Sequence, residues 1–166
     1  MATLDNLKAA FAGESQANRK YLAFAQKADA DGKAQIAKLF RAAAAAETVH
    51  AHAHLRVMNG VGSTAENVQA AIDGEGYEFK TMYPGFVAEA KKEGNHAALK
   101  SFEFAMTVEK VHYDLYSQAA EALKAGKDLA TAKIFVCPVC GNTVLNNAPD
   151  KCPVCSALGS KFAEIQ

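Results

Sequence analysis

The chain has 166 residues, 50% of them hydrophobic, with 18 basic side chains set against 18 acidic ones. A core is therefore available, while the zero formal charge and the lack of a basic stripe argue against a nucleic-acid partner. No stretch reaches the roughly 18 apolar residues of a membrane span. The opening Met-Ala-Thr-Leu-Asp lacks a charged region followed by an apolar run, so the expected location is the cytoplasm.

Residues 3–125 are rich in Ala, Leu, Glu, Lys and Gln, which favour helix. The first helix is expected from Leu4 to Ala30, stopping at Asp31-Gly32. The second is expected from Lys33 to Asn59, with Gly60 as its C-terminal cap. The third should start after Ser63-Thr64, with Glu66 close behind, and end at Gly94-Asn95. It contains Gly74, Gly76, Pro84 and Gly85, which predict a kink near Pro84. The fourth is expected from His96 to Ala125, closed by Gly126. Short connections make neighbouring helices antiparallel. From Ile134 alanine thins out and prolines and glycines appear, after a linker over Lys127–Lys133. The expected architecture is an all-α four-helix bundle over residues 1–130 with a small β/loop domain over 131–166. That second domain is too small for a core of its own and calls for a staple.

Glu47-Thr-Val-His50 lies on the second helix and Glu109-Lys-Val-His112 on the fourth. Side chains three residues apart share a helical face, so each pair can address one point. Two such pairs plus a Glu from each remaining helix make a dinuclear carboxylate site. Glu14 precedes Glu47 by 33 residues and Glu75 precedes Glu109 by 34, which suggests a helix pair used twice; Glu78 adds a fifth carboxylate one turn after Glu75. Carboxylate oxygens with one imidazole per metal suit iron or manganese. A third match, Glu93-Gly-Asn-His96, spans a helix end and is set aside. A lone helical Glu is ordinarily a solvated charge. These glutamates sit among Phe11, Tyr21, Phe40, Phe102, Met106 and Val108, where an unpaired carboxylate would be costly. His52 points away from His50's face, and His54 reads as a surface or interface residue.

All four cysteines fall in two Cys-x-x-Cys knuckles, Cys137-Pro-Val-Cys140 and Cys152-Pro-Val-Cys155, separated by eleven residues. This spacing places four thiolates around one ion and leaves zinc and iron both open.

Together these motifs resemble rubrerythrin over essentially the whole length. The resemblance rests on Glu14-Ser-Gln-Ala, Glu47-x-x-His50, Gly74-Glu75-x-x-Glu78 followed by Met82-Tyr83-Pro84, Glu109-x-x-His112 and the Cys-Pro-Val-Cys-Gly module. It implies a ferritin-like bundle joined to a rubredoxin-like domain, and a non-haem di-iron peroxidase that reduces hydrogen peroxide to water in oxidative-stress defence. It further implies that Glu14, Glu47, Glu75, Glu109 and His112 ligate two iron ions, with Glu47 and Glu109 as bridges. Glu78 and His50 would exchange as ligands of one iron. Tyr21 and Tyr83 would stand near the site, Tyr83 reaching inward through the kink at Pro84. Cys137, Cys140, Cys152 and Cys155 would hold a third iron, with zinc a substitute in recombinant material. Rubredoxin or an NAD(P)H-dependent reductase would supply electrons, since the chain has no dinucleotide-binding glycine fingerprint. A head-to-tail homodimer would let one subunit's cysteine module serve the other's site. Asn142 stands where an aromatic residue is common in such knuckles, and the interval between knuckles is short. The rival readings are a ferritin-like ferroxidase or oxygen-reducing oxidase, and a scaffold whose cysteine module holds zinc.

Overall fold

In the computed structural model, which describes residues 2–166, the chain is mostly helical with a small cysteine-rich strand region at its C-terminal end. It forms two compact units, one ending at Gly62 and the other running Ser63–Gln166. Among the described residues no helix is long and apolar enough to cross a membrane.

The first unit is a hairpin of α1 (Ala2–Ala30) and α2 (Ala34–Val57). The two helices meet along alanines: Ala25, Ala28, Ala37, Ala44 and Ala51 are buried. Small side chains let the backbones approach, and Asn18 uses that closeness. Its Nδ2 donates to the Ala44 carbonyl at 2.7 Å and to Thr48 Oγ1 at 2.8 Å, pinning α1 to α2. The larger apolar side chains Phe24, Leu39 and Val49 remain exposed at 47%, 69% and 63%. At the end of α2 the left-handed position is taken by Asn59 (φ 53°) rather than by Gly60, whose N–H bonds back to the Leu55 carbonyl at 2.9 Å.

In the second unit α3 (Thr64–Tyr77) opens with a capping box. Ser63 Oγ accepts from the Glu66 N–H, while Glu66 Oε2 accepts from the Ser63 N–H at 2.7 Å. The expected third helix is interrupted just ahead of Pro84 by a change of hydrogen-bonding period. A π-helical turn occupies Glu78–Met82, and α4 (Tyr83–Lys92) continues from it with Pro84 in its first turn, where proline's missing N–H costs little. The long α5 (His96–Lys124) packs against α3, the π turn and α4. Gly76 is buried because a Cβ there would lie 3.2 Å from the Tyr113 ring, which explains a glycine inside α3.

After the linker come β1 (Ile134–Val136), β2 (Thr143–Leu145) and β3 (Ala163–Ile165), forming an antiparallel sheet in the order β2-β1-β3. Strand β2 packs on α5 of the same chain. The cysteine module thus touches a helix of its own chain.

Candidate metal centres

The hairpin brings Glu14, Glu47 and His50 together, with their ligand atoms within 4.8 Å of one another. The i,i+3 spacing does this locally: His50 Nδ1 lies 2.9 Å from Glu47 Oε2. In the second unit Glu75, Glu109 and His112 form a matching triad, and His112 Nδ1 lies 2.9 Å from Glu109 Oε2 and 3.8 Å from Glu75 Oε1. The same atoms at the same spacing recur on both Glu-x-x-His motifs. Glu93 and His96 flank the turn before α5 and share no helix.

The second triad is crowded with negative charge. Burial, then the neighbouring Glu109, pushes the Glu75 carboxyl up to about 7, with His112 pulling the other way. Glu78 is also raised, by burial and then by Glu109. Carboxyls that resist ionisation together are relieved by a cation, so this donor set fits a metal better than it fits itself. Tyr83 joins the cluster. Its phenol is raised by burial and then by Glu78, Glu109 and Glu75 in turn. The π turn makes this possible: the Tyr83 N–H bonds to the Glu78 carbonyl five residues back, which brings two residues of awkward α-helical spacing onto a common face. Tyr83 is backed by Phe86 and Phe102, with ring centroids 6.0 and 6.3 Å away. Tyr21 instead sits in an aromatic cluster with Phe24 and Phe40, and among the described residues no hydrogen bond joins its hydroxyl to the Glu14 triad. A cavity of about 380 Å³ opens onto Glu75 and His112, lined further by Val68, Leu115 and Leu145.

In the cysteine module Cys137 Sγ lies 3.6 Å from Cys155 Sγ, and Cys140 Sγ 3.6 Å from Cys152 Sγ. These separations are too long for disulfides, and they match the edge of a tetrahedron with metal–sulfur bonds of about 2.3 Å. Cys137 and Cys152 are buried. Burial raises the Cys140 thiol. At Cys152 burial is outweighed by N–H groups of Cys155 and Val154, which bring it down to about 7. The sequence reading missed two features here. Asn142 is 2% exposed and its Nδ2 has no hydrogen-bond partner among the described residues. Thr143 Oγ1 lies 3.0 Å from His112 Nε2, a contact between β2 and α5 that no local pattern announces.

Two carboxylate–histidine triads of the same composition, one in each unit, together with a four-thiolate site, are the donor sets of a di-iron carboxylate protein carrying a rubredoxin-like module. The family model for rubrerythrin matches residues 5–120, and that for the rubrerythrin rubredoxin-like domain matches residues 135–163. The chain belongs to the rubrerythrin family, di-iron oxidoreductases of oxidative stress. It is 33% identical to rubrerythrin-2 of Clostridium acetobutylicum, over 96% of this chain and 95% of that protein. It is 37% identical to nigerythrin of Nitratidesulfovibrio vulgaris, over 93% of this chain and 82% of that one. A solved structure of nigerythrin in its fully reduced, all-ferrous state is similar in fold, with a TM-score of 0.59 and 35% identity over 98% of this chain and 86% of that one.

Proposed function

We propose that this chain is a non-haem di-iron peroxidase that reduces hydrogen peroxide to water and takes its electrons through the four-cysteine iron site. The observation that carries the reading is that a π turn sets Tyr83 within the influence of Glu78, Glu109 and Glu75, beside a thiolate module docked on the same helix as His112. An iron store or a zinc scaffold needs neither.

Glu14, Glu47 and His50, and Glu75, Glu78, Glu109 and His112, are the residues that would hold iron, with Glu47 and Glu109 as the carboxylates that would be shared between two ions. Glu78 and His50 would be the two side chains that exchange as ligands when the charge on the metal changes. When bound as a ferrous pair, iron supplies two electrons that, with two protons, turn one hydrogen peroxide into two waters. Glu78, raised by burial and by Glu109, holds a proton more readily than an ordinary carboxyl. With iron bound, it would serve as a neutral group off the metal or as an anionic ligand on it. Tyr83, kept neutral by burial and the surrounding carboxylates, can donate a hydrogen bond from its hydroxyl to an oxygen held there. The rings of Phe86 and Phe102 pack against it with centroids 6.0 and 6.3 Å away and fix its orientation. Tyr21, on the same helical face as Glu14 but packed with Phe24 and Phe40, would act only from the edge of the site.

Cys137, Cys140, Cys152 and Cys155 hold the relay iron, and contact between β2 and α5 supports delivery to the triad on α5. A rubredoxin or an NAD(P)H-dependent reductase is the external donor. The functional division is a bundle over 1–130 and a relay domain over 131–166. A cytoplasmic homodimer is the working form, supported by apolar side chains left exposed on both units, Leu39 and Val49 on one and Tyr77 and Phe86 on the other.

Glu78→Gln tests the reading. The iron-loaded variant should retain its iron and lose at least about tenfold in peroxide turnover, on the scale of a missing acid–base group. Unchanged peroxide turnover, or wild-type turnover that prefers oxygen to peroxide, would favour the ferroxidase.

A further inference from the structure

The module and α5 meet at two residues one helical turn apart. Gly141, with φ 84°, turns the first knuckle so that a Cβ there would sit 3.6 Å from Val108 Cγ1. Four residues on, His112 Nε2 faces Thr143 Oγ1 at 3.0 Å, while its Nδ1 faces Glu109 and Glu75. Thr143 Oγ1 also donates to the Gly141 carbonyl at 3.2 Å. Gly141 follows Cys140 directly, and its N–H donates to the Cys137 carbonyl at 2.9 Å.

A neutral imidazole carries one N–H, and a hydroxyl carries one hydrogen. A cation on Nδ1 removes the hydrogen there and leaves His112 as the Nε2–H tautomer. Thr143 must then accept from Nε2–H, and its own hydrogen goes to the Gly141 carbonyl, the acceptor already in place. A hydroxyl can do both at once, whereas a serine differs only by a methyl group and a valine can do neither.

We propose that Thr143 is the positioning residue for His112: its hydroxyl selects Nδ1 as the metal-binding nitrogen and ties that ligand, through the Gly141 carbonyl, to the cysteine knuckle of the same chain. The proposal rests on the reading of His112 as a metal ligand. A histidine ligand generally hands its second N–H to a fixed acceptor, and loss of that acceptor weakens metal binding by about ten- to a hundredfold. Here the acceptor belongs to the other metal module, so docking of the module and quality of the helical site are linked.

The test uses the full chain loaded with zinc, which is diamagnetic and gives sharp signals. Nitrogen-15 spectra of the histidine rings should show His112 as the Nε2–H tautomer, with that proton protected from exchange with water. Thr143→Val should lose the protection and release zinc from the helical site to a competing chelator about tenfold more readily. Thr143→Ser should restore both. Circular dichroism and zinc retained by the four cysteines report whether each variant is folded. A protected Nε2–H and unchanged zinc affinity in Thr143→Val would overturn the proposal while leaving His112 a ligand. No zinc shift at His112 Nδ1 in the wild type would overturn the ligand reading, and the proposal with it.

Discussion

Replacing Glu75 by Gln should make the metal-free protein more stable at alkaline pH, although it removes a proposed iron ligand. Glu75 is raised from 4.5 to about 7, chiefly by burial and next by Glu109. At about 1.4 kcal/mol per pH unit this amounts to about 3 kcal/mol against ionising it. Water reaches the cluster, since the Glu75 side chain is 22% exposed, and screening reduces the figure to about 1 kcal/mol. The folded-state value lies above the unfolded one, so this group's contribution to stability is full below pH 4.5 and is lost as pH rises through about 7. Gln mimics the protonated form at every pH. In the presence of a chelator, the midpoint of Glu75→Gln at pH 8 should exceed the wild type by about 2–4 °C, with the two near equal at pH 5. Thermal melts followed by circular dichroism at both pH values measure this. A metal-free variant melting below the wild type at pH 8 would show that the carboxylate is satisfied by the protein alone, and the case that this cluster suits a cation would fail.

Asn18→Ala removes both bonds that pin α1 to α2 and leaves the Ala44 carbonyl with one partner fewer; urea denaturation should show a loss of about 1–2 kcal/mol. Asn142→Leu removes a buried amide nitrogen that has no partner, so the zinc-loaded module should gain about 1 kcal/mol in the same assay, and a loss would mean that Nδ2 is paired in solution. Deleting Thr81 should convert the π turn to regular α-helix and carry Tyr83 off the Glu78 face: helix content should persist while peroxide turnover falls at least about tenfold. Cys152→Ser should abolish the ferric–thiolate colour and leave the helical triads able to bind metal, as read by absorbance and iron analysis.

The parts legible in the sequence are those that short-range spacing dictates. Glu47 and His50, like Glu109 and His112, meet because three residues on a helix return a side chain to the same face. The cysteines meet because each knuckle brings its own pair together. The near-equal intervals from Glu14 to Glu47 and from Glu75 to Glu109 match two triads of the same composition. The relation of Tyr83 to Glu78 was harder to read. A five-residue spacing points off-face in an α-helix, and nothing in the local residues announces that the backbone changes its hydrogen-bonding period there. Gly76 read as a helix weakness and proves to make room for Tyr113. The contact of Thr143 with His112 joins residues 31 apart across a linker without pattern, and only tertiary packing reveals it. Asn142 was legible only as a departure from an aromatic residue in the knuckle, and nothing in its neighbours signals its burial.

The most direct test of the account is a stopped-flow measurement on the iron-loaded protein, reduced anaerobically and mixed with stoichiometric hydrogen peroxide or with oxygen. The account predicts that the absorbance of both the di-iron and cysteine–iron centres returns with peroxide, and faster than with oxygen. Faster return with oxygen, or no ferric–thiolate band at all, would contradict it.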